Sequence, residues 1–387
     1  MSGIYIHIPF CKQACYYCDF HFSTSLKKKD ELINALIKEI QLRKDELLNQ
    51  TVETIYFGGG TPSILSNAEL QLIIDEVYKN YKIIDAPEIT LEANPDDLSN
   101  KRINELANTP INRLSIGIQS FFEDDLKSMN RAHNAIEAKQ CLNEATKHFD
   151  NITIDLIYGI PNMSLKKWNE NLQMAFDLGI NHISSYALTV EEKTALDNFI
   201  KKGTYPPVDE VLASQHFDHL VKRTQEEGFI HYEISNFGKP NYFSKHNTSY
   251  WQGKTYLGIG PSAHSFNGKQ RSWNIANNTK YIKSLEQNKL PSEIEILTKN
   301  DRYNEYIMTG LRTIWGISLN KIDTEFGEAY KEKLLLSVQK FIDKELVVIS
   351  NKSDKSHKYA NSNSFIKTTQ KGKFLADGIA SDLFILN

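Results

Sequence analysis

Three of the chain's four cysteines, Cys11, Cys15 and Cys18, lie in the short segment CKQACYYCDF. A thiolate is a strong, soft metal ligand, and a loop of this length can bring three sulfurs to one inorganic centre. The C-x3-C-x2-C spacing predicts a [4Fe-4S] cluster that leaves its fourth iron open to another ligand. The alternative is zinc with His7 or His21 as the fourth ligand, but the sequence offers no second ligand pair at the spacing typical of zinc sites.

Glycine and polar residues follow other predicted strands. The motif GGGTP at residues 58–62 comes directly after a strand, and its glycines allow close backbone approach and offer amides to a carboxylate or amino-acid group. Glu92, Gln119 and Asp155 lie at or just past strand ends, where parallel sheets bind ligands. These positions predict a ligand site beside the cysteines. For Arg131 there is a structural alternative, an ion pair with Asp155 that closes the top of the fold.

The segment HNTSYW at residues 246–251 combines an imidazole with two flat aromatic side chains. Neutral imidazole is a good axial ligand to heme iron, and Tyr250 and Trp251 offer apolar faces to a porphyrin. A histidine beside aromatic residues is more often a buried structural residue, so His246 is a candidate heme ligand weighed against that alternative. Three other histidines are rival ligands: His216, His231 and His264.

The elements that must position these residues alternate between strand and helix. Apolar runs and helical spacing predict strands at 4–8, 54–57, 88–93, 113–118, 152–157 and 182–187, and helices at 29–48, 67–81, 99–107, 135–148 and 165–178. Six such strands predict a parallel sheet with right-handed crossovers, either a partial barrel or an open doubly wound sheet. In both, the cysteine, GGGTP and NPDD loops lie at the carboxyl edge, where ligands bind.

The alternation ends after Thr189, so we expect three parts: a barrel over 1–190, an aromatic-rich extension over 191–290, and a C-terminal domain over 291–387. In the last part, helices near 302–313 and 329–344, strands at 346–349 and 364–368 and a polar turn at 351–363 resemble a winged-helix module. Its charges nearly balance, with 14 Lys and Arg against 13 Asp and Glu, so a packing role is favoured over DNA binding.

The bulk composition limits the class of protein. A net charge of -3 over 387 residues gives no field that would gather nucleic acid, so we expect no nucleic-acid partner. No apolar run approaches the roughly 20 residues that span a bilayer, and the N-terminal sequence lacks a signal-peptide pattern. Four cysteines in so long a chain do not make a disulfide framework. These features predict a cytoplasmic protein without an integral membrane segment.

The cysteine spacing, with GGGTP after the next strand, resembles the radical S-adenosylmethionine (SAM) superfamily. In that superfamily the open iron binds the amino and carboxylate groups of SAM, and an electron from the cluster cleaves SAM to a 5'-deoxyadenosyl radical. The resemblance implies SAM as a second cofactor. The fold expected with it is α/β, a partial (β/α)6 radical SAM barrel with a smaller C-terminal α+β winged-helix-like domain.

From YIHIPFC at residue 5 to KTTQKGKFLAD at residue 367, the chain is similar to the group of oxygen-independent coproporphyrinogen III oxidases and HemW-like heme chaperones. The similarity assigns no catalytic residue. The residues that it implies for SAM binding are Tyr5, Tyr17, Gly59, Gly60, Thr61, Glu92, Gln119, Arg131, Asp155 and Ala187.

Phe20 separates the two subgroups. The oxidases have a further cysteine two residues after the third, where this chain has Phe20, and the CDF ending is typical of HemW-like chaperones. Cys141 does not replace that cysteine, because it lies in the 135–148 helical pattern, where a core role is expected. HNTSYW also matches the HNxxYW motif of the chaperones. The similarity thus implies heme, a heme acceptor protein and an electron donor, with oxidative decarboxylation of a porphyrinogen as the alternative.

Overall fold

The computed structural model describes residues 2–351 and 364–386. Six neighbouring strands pair in parallel and in chain order, as the strand and helix alternation predicts. Their buried, β-branched centres form the floor of the main hydrophobic core. The strands are β1 (Ser2–Ile8), β2 (Val52–Gly59), β3 (Ile83–Ala93), β4 (Arg113–Gln119), β5 (Ile152–Tyr158) and β6 (His182–Ala187).

Amphipathic helices connect these strands and pack their apolar faces on the sheet. They are α1 (Lys29–Leu42), α2 (Asn67–Asn80), α3 (Asn100–Leu106), α4 (Glu123–Ser128), α5 (Ala135–His148) and α6 (Leu165–Asp177). The first helix ends earlier than the predicted residue 48. Just after it, the buried Arg43 guanidinium donates to the Glu39 carboxylate at 3.0 Å and to the carbonyl oxygen of Gly258 at 2.8 Å. The chain therefore turns here to tie α1 to a distant strand.

The sheet continues beyond the six strands at both edges, which the sequence does not predict. A strand from far along the chain pairs in parallel with β1, and three antiparallel partners follow it outward. At the other edge, two short strands pair antiparallel with β6 and with each other. These strands are β7 (Ile230–Glu233), β8 (Asn236–Gly238), β9 (Thr255–Ile259), β10 (His264–Phe266), β11 (Gln270–Asn274) and β12 (Ser292–Ile296).

The twelve-stranded sheet is open, with β12 and β7 at its edges, which confirms the α/β class and the incomplete barrel. Four helices accompany the added strands: α7 (Ala195–Lys201), α8 (Glu210–Glu226), α9 (Lys245–Trp251) and α10 (Asn278–Glu286). Of these, α9 carries the HNTSYW segment and packs on β1, β2 and β9. The segment thus lies against the same central strands that carry the cysteine and GGGTP loops.

The C-terminal unit is smaller, is α+β as expected, and has its own hydrophobic core. Its antiparallel sheet has the order β13, β15, β14. The predicted polar turn at 351–363 lies, apart from residue 351, outside the described residues. The elements are α11 (Lys299–Leu311), β13 (Ile317–Ser318), α12 (Leu319–Phe326), α13 (Glu328–Ile342), β14 (Val347–Asn351), β15 (Ser364–Thr368), α14 (Gln370–Lys373) and α15 (Ala376–Asp382).

A membrane-spanning helix is not found in the described part of the chain, where each helix is too short or too polar to cross a bilayer.

Candidate functional site

The cysteine loop follows β1 and is held against the end of β2. The Gly60 amide donates to the carbonyl oxygen of Ile8 at 2.9 Å, and the Thr61 amide donates to that of Phe10 at 2.7 Å. A Cβ atom at Gly60 would lie 2.6 Å from the Phe10 carbonyl oxygen, so the close approach requires glycine. The GGGTP turn therefore fixes the loop that carries the cysteines.

The three thiols line a cavity of about 630 Å³ at the carboxyl ends of the parallel strands. All three are free and half-buried. The Thr61 hydroxyl donates to Cys11 Sγ at 3.5 Å, and Arg131 Nη1 donates to Cys15 Sγ at 3.3 Å. Burial raises the pKa of the Cys11 thiol, and the hydrogen bond that Thr61 donates to its sulfur opposes that rise and so favours the thiolate that a metal centre requires.

The thiols do not form a site for a single ion. Among residues 2–351 and 364–386, no three His, Cys, Asp or Glu side chains converge tightly enough to surround one metal ion. Thiolates that each bind a different iron of a cluster need not converge so tightly. His7 and His21, the rival fourth ligands for zinc, hydrogen-bond elsewhere: His7 Nε2 to the His21 carbonyl oxygen, and His21 Nε2 to Asn278. The geometry favours the cluster over zinc.

Arg131 ties the cysteine loop to the neighbouring strand ends. Its Nη2 donates to Asn94 Oδ1 at 2.6 Å and to the carbonyl oxygen of Gly117 at 2.8 Å. Asn94 in turn donates to the Thr61 hydroxyl at 3.2 Å. Arg131 and Asp155 form no ion pair in the described residues. Burial raises the pKa of the Asp155 carboxyl, and the Arg131 charge offsets only part of that rise. The sequence predicted that the NPDD loop lies at this edge of the sheet, but it did not identify Asn94 as a site residue.

Two half-buried carboxyl groups line the same cavity as the thiols. Burial raises the pKa of Glu92 to about 7, although its carboxylate accepts hydrogen bonds from the Tyr56 hydroxyl at 2.8 Å and the Gly59 amide at 3.2 Å. Burial likewise raises the pKa of Asp155 to about 6. Two carboxyls that ionise near neutral pH can bind a cation such as an ammonium or sulfonium group.

The structure brings all but one of the predicted cluster and SAM residues to this cavity. Tyr5 is the exception, because its ring packs against Tyr56 inside the fold and its hydroxyl hydrogen-bonds with His7 Nδ1 at 3.2 Å. The predicted residues that line the cavity are Cys11, Cys15, Tyr17, Cys18, Gly59, Gly60, Thr61, Glu92, Gln119, Arg131, Asp155 and Ala187. Phe20 also lines it and is 70% exposed.

His246 lies deep in the fold and does not line this cavity. Only 1% of the residue is exposed, and both ring nitrogens have partners. Nδ1 lies 2.7 Å from the Thr54 hydroxyl, and Nε2 lies 2.6 Å from the Tyr250 hydroxyl. Burial lowers the pKa of His246 to about 3, so the imidazole is neutral at physiological pH. In this conformation the Tyr250 hydroxyl occupies the approach to Nε2.

Tyr250 and Trp251 line a second cavity, of about 740 Å³, between the sheet extension and the C-terminal unit. The rival histidines do not border it. His216 is fully buried and accepts from the Gly159 amide, and His231 stacks on Phe237 with ring centroids 4.2 Å apart. His264 is exposed beside Trp273. Of the four candidate histidines, His246 is the one whose ring nitrogen hydrogen-bonds with a lining residue of the second cavity among the described residues.

Tyr56 connects the two candidate sites. Its ring stacks on that of His246 with centroids 4.8 Å apart, and its hydroxyl donates to Glu92, which lines the cysteine cavity. Thr54 and Tyr56 are alternate residues of β2 that face the same side of the sheet. Their neighbours in the fold come from a segment almost two hundred residues away, which is why the sequence did not identify them.

Comparison with known proteins places this geometry in a family. Residues 5–175 match the radical SAM superfamily, and residues 297–353 match the HemN C-terminal domain. A heme chaperone HemW from Lactococcus lactis is 32% identical over 348 residues, which cover 89% of this chain and 90% of that protein. The chain belongs to the HemW family. The HemW of Bacillus subtilis is also 32% identical, over 98% of both chains.

The HemW-family chain also resembles a solved structure. Coproporphyrinogen III oxidase (HemN) from Escherichia coli, a radical SAM enzyme, superimposes with a TM-score of 0.83 over 99% of this chain and 90% of that chain. The two sequences are only 21% identical, so the likeness establishes a common fold and does not transfer the activity.

Proposed function

We propose that this chain is a radical SAM heme chaperone of the cytoplasm. It holds a [4Fe-4S] cluster on Cys11, Cys15 and Cys18 and binds SAM in the adjoining cavity. It also binds heme beside His246 and then passes the heme to an acceptor protein. The observation that carries the proposal is the meeting of three free thiols and two half-buried carboxyl groups in one cavity. The names of the HemW relatives support the heme part.

The side chains of the cavity have separable roles in this proposal. Thr61 and Arg131 donate hydrogen bonds to the sulfurs and so stabilise the thiolates that hold the cluster. Glu92 and Asp155 supply negative charge for the cationic groups of SAM, and the Gly59 and Gly60 backbone leaves room for close approach. When bound, the cluster supplies the electron for reductive cleavage of SAM. That electron comes from a donor protein.

The heme part of the proposal uses the His246 side chain as a neutral ligand. When Nδ1 donates its proton to the Thr54 hydroxyl, Nε2 carries a free lone pair, the state that a metal requires. Before Nε2 can bind iron, its hydrogen bond with the Tyr250 hydroxyl must break. A ligand held by a buried imidazole behind a movable side chain can be released when the side chain returns, which suits delivery rather than permanent retention.

Porphyrinogen oxidation is the competing activity, and one experiment separates it from delivery. The chain is reconstituted anaerobically, loaded with hemin and mixed with a heme-free hemoprotein; in parallel, unloaded chain receives SAM, a reductant and coproporphyrinogen III. We expect heme to appear in the acceptor and no protoporphyrinogen IX to form. Turnover of the porphyrinogen at the rate of a parallel oxidase sample, without heme transfer, would refute the chaperone function.

A further inference from the structure

The second cavity has the lining of a site for a flat apolar ligand. Its walls combine rings and a thioether from the sheet extension and from α11, so neither unit completes it alone. At about 740 Å³ it lies in the range of small-molecule and cofactor sites. Apolar lining residues on the two sides include Tyr250, Trp251, Tyr256, Phe266, Tyr306 and Met308.

Three cations border the cavity, and two of them are already paired. Arg271 forms an ion pair with Glu305, and Lys321 Nζ lies 3.9 Å from the Glu325 carboxylate. Arg302, in the first turn of α11, has no hydrogen bond or ion pair through its guanidinium within residues 2–351 and 364–386. A half-buried arginine without a partner, on the wall of an aromatic cavity, is suited to a carboxylate of the ligand.

The acidic residues of the wall do not compete for Arg302. Glu305 and Glu325 face the other two cations. Asp301 accepts hydrogen bonds from the Thr298 amide and hydroxyl as part of the helix cap. Glu295 is exposed on the edge strand β12. The carboxylates of the wall outnumber its cations by one, so the attraction for a ligand carboxylate is local to the Arg302 guanidinium and is not a charge of the whole cavity.

We propose that this cavity seats the porphyrin plane of heme, with Arg302 binding a propionate carboxylate and Tyr250 standing between the plane and His246. The proposal rests on the heme binding proposed above and adds the C-terminal unit as half of the site. Tyr250 supports the placement, because it lines the cavity and its hydroxyl lies 2.6 Å from His246 Nε2.

Hemin titration of the anaerobically purified full chain, followed by absorbance, tests whether the Arg302 charge contributes to heme binding. We expect Arg302→Ala to weaken hemin binding about ten-fold, the effect of one lost charge-assisted hydrogen bond. Arg302→Lys keeps the positive charge and should lie between the wild type and the alanine variant. Lys299→Ala is the matched control, since Lys299 is a cation of the same helix that does not line the cavity. It should bind hemin as the wild type does.

A second pair of variants tests whether heme occupies the volume of this cavity. Thr309 also lines the cavity from α11, so Thr309→Phe fills it, whereas Thr309→Ser does not. We expect a ten-fold or greater loss of hemin affinity for the phenylalanine variant only, with iron content and circular dichroism unchanged. Wild-type affinity in both Arg302→Ala and Thr309→Phe would place the heme elsewhere and overturn this inference while leaving heme binding intact. A wild-type chain that binds no hemin would instead refute the proposed function.

Discussion

The Tyr250 hydroxyl lies 2.6 Å from Nε2 of His246, so the ring nitrogen that would bind a heme iron already has a partner. The other ring nitrogen, Nδ1, lies 2.7 Å from the Thr54 hydroxyl. His246 and Tyr250 are both in α9, and at the start of this helix the His246 amide donates to the Glu88 carboxylate at 3.1 Å. The histidine is thus fixed in orientation, and the tyrosine reaches it from the wall of the second cavity.

Removing the tyrosine hydroxyl should make the histidine easier to reach. Tyr250→Phe loses a hydrogen bond whose net value is about 1 kcal/mol, so we expect hemin affinity to rise several-fold. His246→Ala should lower it by at least ten-fold with the cluster unaffected. Hemin titrations of both variants measure the effects. A loss of affinity in Tyr250→Phe together with wild-type affinity in His246→Ala would make Tyr250 the iron ligand.

Glu92 predicts opposite pH trends for stability and for SAM binding. Its pKa in the folded chain is about 7, above its ordinary value of 4.5, so the SAM-free chain loses stability as pH rises between these values. Glu92→Gln should therefore stabilise the SAM-free chain at pH 8 by about 2 kcal/mol, with little gain at pH 4.5. Denaturant unfolding at the two pH values measures this difference.

The same substitution should weaken SAM binding. In the wild type, affinity should fall as pH drops through about 7 and then about 6, because Glu92 and Asp155 become protonated. Glu92→Gln should remove the first part of that dependence, as measured by equilibrium dialysis of SAM. Glu293→Gln, on an exposed position of β12, is the control. Wild-type affinity in Glu92→Gln at pH 8 would exclude this carboxylate from the SAM site.

Tyr56 predicts communication between the two cavities. Because its ring contacts His246 and its hydroxyl contacts Glu92, we expect SAM to change hemin affinity by at least about five-fold. Tyr56→Phe keeps the ring and loses the hydroxyl, so it should reduce this dependence on SAM. Tyr81→Phe removes a buried tyrosine hydroxyl elsewhere and should not. Equal hemin affinity with and without SAM in the wild type would show that the sites are independent.

Substitution of Gly60 should destabilise the turn that holds the cysteine loop and so reduce cluster loading. Its substitution by alanine puts a Cβ atom 2.6 Å from the Phe10 carbonyl oxygen, so Gly60→Ala should cost about 1–3 kcal/mol and lower the iron content. Gly378→Ala, in α15 with open space around its Cβ position, should be neutral or stabilising. Unfolding free energies and iron analysis compare them. Full iron content in Gly60→Ala would show that the turn tolerates a side chain.

Much of the central sheet could be predicted because its signal is local. Predicted strands at 152–157 and 182–187 differ from β5 and β6 by at most one residue, since each strand is a short apolar run bounded by turns. The cysteine and GGGTP loops meet because the carboxyl ends of parallel strands share one edge. These relations follow from chain order alone.

The remainder depends on contacts between distant segments. The pairing of β9 with β1 has no local signal, and it is this pairing that places α9 beside β2. The burial of His246 follows from it. Sequence could identify the chemistry of HNTSYW, but only the fold shows that Tyr250 stands between the imidazole and a cavity built partly by α11.

The proposed function requires one chain to carry both a cluster and a heme site. This requirement can be checked by iron, sulfide and zinc analysis of the anaerobically purified chain, before and after saturation with hemin. We expect about four cluster irons and sulfides per chain, with further iron taken up as heme. Cys15→Ala should lose the cluster, and Cys141→Ala, in the buried face of α5, should keep it. Stoichiometric zinc, or a full cluster in Cys15→Ala, would contradict the account.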